Sequence, residues 1–466
     1  MSDFLPRFIQ AVNHMVWGFP ALFAIGSVGL YFTVKTRCVQ LRKLPFALKS
    51  VFRKLREKPT DGVSPFQALC TALAATVGTG NIAGVAGAIS IGGPGAIFWM
   101  WVAALLGMVV KYAEVVLAVR YRQQAPDGSY RGGPMYYIRD GLKPGWRWLG
   151  VVFCVFGIIA AFGVGNSTQV STAVASVEEA LAVYGVSPAV PVPLLMGLVF
   201  GLLVGLVIFG GAKRIGAVAE YLIPVMSLGY ILLGAGVLLQ RASALPTALL
   251  SIVSGAFNPS AVTGGAVGSC FIALRTGFSR GVFTNEAGMG TASIAHAGAN
   301  ISHPVQQGLY GIFEVFADTL MICTVTALVI LTAQVPIPYG QATGAELTIS
   351  AFTSVYGQWV SVFLALSMVL FSFATILGWG LYGMRCTEFL FGNRGWYVFA
   401  ALHTLTTVLG ALAAPALLWD LAETVNGLMA IPNLVALAFL SKEVILLTTN
   451  YFNSKNHIYL SRRYKK

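Results

Sequence analysis

Apolar runs of about 20 residues recur along this chain, each long enough to carry a helix across roughly 30 Å of hydrocarbon. Eleven can be placed, near residues 15–34, 66–90, 95–119, 148–177, 190–212, 215–239, 262–282, 307–333, 358–384, 396–413 and 416–440. Such repetition specifies an all-α polytopic membrane protein. A β-barrel would need alternating strands of about ten residues, and the sequence lacks them. Only 10% of residues are charged, against about a quarter in soluble domains.

The net charge of +13 raises the question of a nucleic-acid partner. The positions of the basic residues answer it. Between Lys35 and Lys58, between Arg120 and Arg147, at Lys213 and Arg214, at Arg275 and Arg280, at Arg385 and Arg394, and from Lys442 onward, 27 of the 30 basic residues fall on one side of the expected spans. Only Arg7 and Arg241 lie opposite, and Lys111 lies within a span. The positive-inside rule makes the basic side cytoplasmic, with the N-terminus outside and the C-terminus inside. The basic loops thus set orientation and meet anionic lipid, and no nucleic-acid role is expected.

Six cysteines are scattered without a CxxC spacing, so neither a disulfide framework nor a zinc site is indicated. The first apolar run is too long for a signal-peptide core and is expected to be retained.

One segment breaks the apolar pattern. TVGTGNIAGVAG, Thr76 to Gly87, puts four glycines, two threonines and an asparagine into twelve residues. Glycines such as Gly80 and Gly84 also serve close helix packing, but Thr76, Thr79 and Asn81 need polar partners at membrane depth. Irregular backbone is tolerated there only inside protein or beside a wet cavity. GTGNIAG lacks the Walker lysine and a preceding strand, so a nucleotide loop is excluded.

Setting aside the first span leaves ten, divisible into five and five. The second five begin at TGGAVGSCFIALRTGFSRG, Thr263 to Gly281, where Gly264, Gly265, Gly268, Gly277 and Gly281 predict a second interruption. Paired interrupted segments in halves of opposite orientation point to an inverted-repeat transporter. A helix break exposes N–H groups that attract a carboxylate and carbonyls that attract a cation. A zwitterion and a sodium ion suit it together.

GGPGAIFWMWVAALLG, Gly92 to Gly107, resembles the signature of the alanine/glycine:cation symporters. TVGTGNIAG and GVFTNEAGMGTASIAHA, Gly281 to Ala297, resemble two further blocks of that family, and the likeness extends over nearly the whole chain. The resemblance implies sodium-coupled uptake of alanine, glycine or a close analogue on a LeuT-type fold. That fold would have a 5+5 inverted repeat with one extra N-terminal helix, about 11 transmembrane helices in all. Residues 1–65 would hold the extra helix and a basic loop, 66–239 and 262–440 the repeats, and 441–466 a basic cytoplasmic tail. A bacterial inner membrane is the implied location.

By the same resemblance, Thr79 and Gly80 face the substrate carboxylate, and Asn81 faces substrate or a first sodium. The carbonyls of Ala74 and Val77 face a second sodium. Gln169 would contact substrate, or else bond across helices. Thr375, with Ser372, would give hydroxyl oxygens to the second sodium, or else bond back to its own helix. Trp379, four residues after Thr375 and on the same face, would cap a pocket for small side chains. Phe271 is a weaker pocket candidate.

No acidic residue is expected to dominate the ion site; the substrate carboxylate would supply the negative charge and couple the two ligands reciprocally. Lys111 and Glu114, three apart, are read as a buried ion pair, with proton relay the lesser alternative. Asn285 and Glu286 are placed just beyond the second break, as a gate latch or a helix cap. Glu314 and Asp318 mark a polar face, and His296 and His303 are read as solvated loop residues. A membrane enzyme would need a catalytic constellation that the sequence lacks, and a channel would repeat a filter by symmetry. The alternatives within reach are proton coupling, another small amino acid, or a transport-derived sensor. No obligatory protein partner is indicated.

Overall fold

The computed structural model describes residues 12–13, 16–54, 62–126, 128–188, 190–412 and 415–463. Arg7, Lys58, the expected span ends at residues 15 and 413, and the last three residues of the tail lie outside the described residues. Helices α1 (Phe19–Lys35), α2 (Val39–Arg42) and α3 (Leu44–Lys54) lead to the first interrupted element, α4 (Pro65–Thr76) and α5 (Ala83–Gly92).

The start of α4 is written locally. Ser64 accepts the Gln67 N–H at 3.0 Å while the Gln67 side chain accepts the Ser64 N–H at 3.0 Å, a capping box ahead of Pro65. At Val77 and Gly78 the backbone turns extended, and a single 3-10 turn, Thr79–Asn81, joins the halves. The two halves bend by 60°. Gly78 cannot be replaced there, because a β-carbon on it would stand 2.7 Å from the Thr375 hydroxyl.

Helix α6 (Gly95–Arg120) follows, then a short hairpin of β1 (Gln123–Gln124) and β2 (Tyr130–Arg131), then α7 (Pro134–Gly141). The next span is α8 (Trp148–Phe162), a π-turn at Gly163–Ser167, and α9 (Thr168–Val183). Helices α10 (Val192–Ile208) and α11 (Gly211–Gln240) complete this half. Residues 242–257, which fall between the expected spans, contain an apolar helix, α12 (Leu245–Phe257), which packs on α6. A short α13 (Pro259–Val262) precedes the second interrupted element.

That element corrects the sequence reading. Helix α14 (Cys270–Asn285) is continuous through Gly277 and Gly281, and the interruption falls later, at residues 286–290, before α15 (Thr291–Ala297). Glu286, Gly288 and Gly290 have φ of 53°, 91° and 79°, which ends the helix. Gly277 serves packing: a β-carbon there would fall 2.0 Å from the Ala96 carbonyl oxygen. Gly264 and Gly265 turn the loop before the helix. Asn285 therefore ends the helix and Glu286 begins the break.

Helix α16 (Pro304–Val315), a π-helical stretch at Phe316–Cys323 and α17 (Thr324–Thr332) form one span. Helix α18 (Ala345–Tyr356) leads to α19 (Trp359–Phe391), then α20 (Asn393–Ala411), α21 (Pro415–Phe439) and α22 (Ser441–Arg463). Among the described residues five helices are long and apolar enough to cross a bilayer, and the number rises to seven if the bent pairs 65–92 and 423–453 each count as one span.

The core lies around α19, which packs against α4, α8, α9 and α20, and around α6, which packs against α14 and α16. At the end bearing the basic loops, the two interrupted elements meet. Val63 and Ala299 form a parallel bridge, and the Asn300 N–H donates to the Val63 carbonyl at 2.8 Å. Arg122 closes over this point, with its guanidinium bonded to the carbonyls of Ala299 and Ile301 and stacked 3.8 Å from the Tyr130 ring centre.

Candidate functional site

Three polar contacts converge on the first interruption. The Thr79 hydroxyl donates to Gln169 Oε1 at 3.1 Å, and Gln169 Nε2 donates to the Val164 carbonyl at 3.0 Å, where α8 opens into its π-turn. The Thr375 hydroxyl donates to the Ala74 carbonyl at 3.0 Å. Asn81 closes its own turn by accepting the Gly78 N–H at 2.8 Å, and donates to Asp318 Oδ1 at 2.7 Å and to the Cys323 thiol at 3.3 Å. All of these side chains are buried.

The Ala74 carbonyl at the end of α4, the turn at Thr79–Asn81 and the Asp318 carboxylate thus lie together in the buried interior. Unpaired charge is costly there.

Asp318 brings a carboxylate to this region, where no acidic residue was expected to dominate. It lies in the π-helical stretch, fully buried, with Oδ2 accepting the Thr319 hydroxyl at 2.8 Å. Asn285, at the end of α14, donates to the same Thr319 hydroxyl at 3.2 Å. A chain of bonds, Asn81–Asp318–Thr319–Asn285, therefore links the two interrupted helices. Its sequence signal was the spacing of Glu314 and Asp318 on one face of an apolar span. Asn285 was read from sequence only as a gate latch or a helix cap, and Thr319 carried no signal of its own.

The other candidates divide. Val77 ends α4 in extended backbone beside these contacts. Ser372 lies one turn before Thr375, with its hydroxyl buried and without a hydrogen-bond partner. Gly80 borders a cavity of about 410 Å³, with Gly84, Ser171, Thr172 and Arg280, that reaches the break from the end opposite the basic loops. Trp379 is buried against Gly165 of the π-turn and packs edge-on to Tyr382 at 5.6 Å. Phe271 stands apart, 49% exposed at the start of α14, fifteen residues before the break.

The ionisable residues are also rearranged relative to expectation. Lys111 does not pair with Glu114: its ammonium lies 3.4 Å from Glu314 and donates to the Glu286 carbonyl at 3.3 Å. Glu114 Oε1 instead accepts the N–H groups of Gly288 and Gly290 at 2.9 and 3.1 Å, and Asn433 Nδ2 at 2.7 Å. Each side chain reaches across to the second break, where freed backbone groups need partners. His296 is fully buried, bonded to Glu314 at 2.9 Å and Gln307 at 2.8 Å, and His303 accepts the Val305 N–H at the start of α16. Arg280 is not in a basic loop. It pairs with Glu423 at 2.6 Å beside the far-end cavity.

Comparison with known proteins identifies the fold and the family. The backbone resembles MhsT, solved in complex with L-phenylalanine, at TM-score 0.57 and 15% identity, covering 84% of this chain and 99% of that one. It also resembles the nucleobase-cation-symport-1 transporter MHP1, at TM-score 0.50 and 12% identity, over 85% and 81%. The fold is therefore of the LeuT and Mhp1 kind, in a helical integral membrane protein. The sodium/alanine symporter AgcS of Methanococcus maripaludis is 42% identical over 96% of both chains. A probable sodium/glutamine symporter, GlnT of Bacillus subtilis, is 39% identical over 98% of this chain and 92% of its own. A family model described as the sodium:alanine symporter family matches residues 2–465. This chain belongs to the sodium:alanine symporter family, a family of transporters.

Proposed function

We propose that the protein is a secondary symporter that imports a small neutral amino acid, alanine or glycine, coupled to sodium by alternating access. The observation that carries this reading is the convergence at the first break of Thr79 on Gln169, Thr375 on the Ala74 carbonyl, and Asn81 on Asp318. These contacts supply what a small zwitterion and cations require: exposed backbone dipoles, neutral oxygens and one buried carboxylate.

In this reading the substrate carboxylate meets the turn at Thr79 and Gly80, and Gln169 exchanges its bond with Thr79 for one with substrate. One sodium ion takes the Ala74 and Val77 carbonyls with Thr375 and Ser372. A second lies beside Asn81, Asp318 and Thr319. Trp379 bounds the space left for the side chain, while Phe271 is left to the periphery.

The orientation in the plasma membrane follows the basic loops, with the N-terminus outside and the C-terminus cytoplasmic. Eleven spans, α1 followed by two groups of five, fit that orientation. The cavity that reaches Gly80 then opens outside, and the cytoplasmic end is held by Arg122 and the Val63–Ala299 bridge. Uptake requires the first to close and the second to open.

The test is uptake of radiolabelled alanine, glycine and glutamine into proteoliposomes under separate sodium and proton gradients. Concentrative alanine or glycine uptake driven by sodium supports the reading. Uptake that follows a proton gradient and ignores sodium removes the coupling assignment. Binding without uptake under either gradient makes the protein a sensor.

A further inference from the structure

Behind the first break, facing away from the polar contacts, lies a groove lined almost wholly by apolar side chains. The groove, of about 250 Å³, lies between α4, α11 and the span that begins with α16, with Val51 and Phe52 of α3 at its edge. Its walls include Leu69, Leu73 and Val77 of α4, Leu228 of α11 and Met321 of the π-helical stretch. Phe52 and Leu228 are 61% and 58% exposed, so the groove opens sideways, toward whatever surrounds the bundle. In a membrane protein that medium is acyl chain. Water gains no partners in an apolar groove, and an unfilled one forfeits dispersion contacts along its whole wall.

The helix at the groove's edge indicates which lipid. Helix α3, LPFALKSVFRK, carries Lys49, Arg53 and Lys54 and no acidic residue, and it is strongly two-faced. Lys49 is exposed and stands three residues before Phe52, on the same side of the helix. An amphipathic basic helix of this kind lies in the headgroup region and attracts anionic lipid.

We infer that the groove is a binding site for one acyl chain of an anionic phospholipid, whose phosphate is held by Lys49 on α3. The bound chain lies against the face of α4 that carries Leu69 and Leu73, and it touches Val77 where α4 ends. The lipid therefore braces the half-helix that carries the ion-facing carbonyls, and its departure frees that half-helix to move.

The site is tested with the full-length protein in phosphatidylcholine vesicles containing a minority of phosphatidylglycerol that bears a diazirine in its acyl chain. After irradiation, labelled peptides are mapped by mass spectrometry. Labelling is expected to be severalfold denser on residues 66–77, 223–231 and 313–322 than on α10, whose Leu198 and Leu202 also face outward. Ser227→Phe, which fills the groove from its α11 wall, should abolish the groove labelling and leave that on α10. Lys49→Glu should lower it severalfold for the phosphatidylglycerol probe and not for a phosphatidylcholine probe.

Even labelling of the groove and α10, or groove labelling indifferent to Ser227→Phe, overturns the site. Labelling by both probes alike, unchanged in Lys49→Glu, overturns the anionic headgroup assignment. The measurement needs neither substrate nor ion gradient, so its failure leaves the transport reading untouched.

Discussion

The Thr375 hydroxyl sits 3.0 Å from the Ala74 carbonyl oxygen, joining the long helix α19 to the last turn of α4. Two oxygens from elements 301 residues apart are thus brought together just before a helix break, with the unpartnered Ser372 hydroxyl one turn away. Sodium prefers such neutral oxygens in number. Thr375→Ala should raise the sodium concentration for half-maximal uptake by about tenfold, equivalent to about 1.4 kcal/mol, whereas Thr375→Ser should stay near wild type. A sodium titration indifferent to Thr375→Ala would exclude the hydroxyl as a ligand.

Asp318 is the buried carboxylate at the first break. Asp318→Asn keeps the shape and can still bond Asn81, but removes the charge. Sodium affinity should fall by about tenfold or more, with alanine affinity at saturating sodium much less affected. Equal loss for both ligands would assign Asp318 to architecture alone.

Gln169 has one oxygen on Thr79 and its amide nitrogen on the Val164 carbonyl. Gln169→Ala should raise the alanine KM strongly, because it strips the turn of its facing polar group; Gln169→Glu should do the same by repelling a carboxylate. Wild-type KM in both variants would take Gln169 out of the substrate site.

Lys111 and Glu314 form a fully buried ion pair. Lys111→Met alone leaves Glu314 uncompensated and should cost about 3–5 kcal/mol. The double variant Lys111→Met with Glu314→Gln should recover much of that. Thermal unfolding in detergent reads both, and a double variant as unstable as the single one would mean that the two side chains do not act as a pair.

Trp379 packs on Gly165, whose missing side chain makes room for the indole. Trp379→Ala should lower stability by about 3–5 kcal/mol through the cavity it leaves, and should admit amino acids with larger side chains. A substrate panel that keeps its wild-type order in this variant would argue against a pocket role.

The first break was readable because Thr76, Thr79 and Asn81 contradict their apolar setting, and a polar group in hydrocarbon demands a local reason. The second was misplaced by more than a turn. Glycines within α14 look the same whether they end a helix or admit a neighbour, and Gly277 does the latter with Ala96. The real break rests on Glu286 in a left-handed conformation and on amides held by Glu114, 174 and 176 residues away. Such partners leave no local trace.

The same limit explains the ionisable residues. Helical spacing pointed Lys111 at Glu114, yet both side chains turn to a different helix. Arg280 was counted with the basic loops although it falls inside the expected span 262–282, and its true partner, Glu423, is 143 residues distant. His296 read as solvated because nothing nearby in sequence announces Glu314 and Gln307 as its neighbours.

The parallel rung between Val63 and Ala299 harnesses the emerging ends of both interrupted helices to each other. While that rung and the Arg122 guanidinium hold, neither end can swing aside alone, so the proposed transport cycle requires both to part together. The Asn300 amide proton, locked on the Val63 carbonyl, is the natural reporter: its exchange with deuterated solvent should count each opening, turnover by turnover.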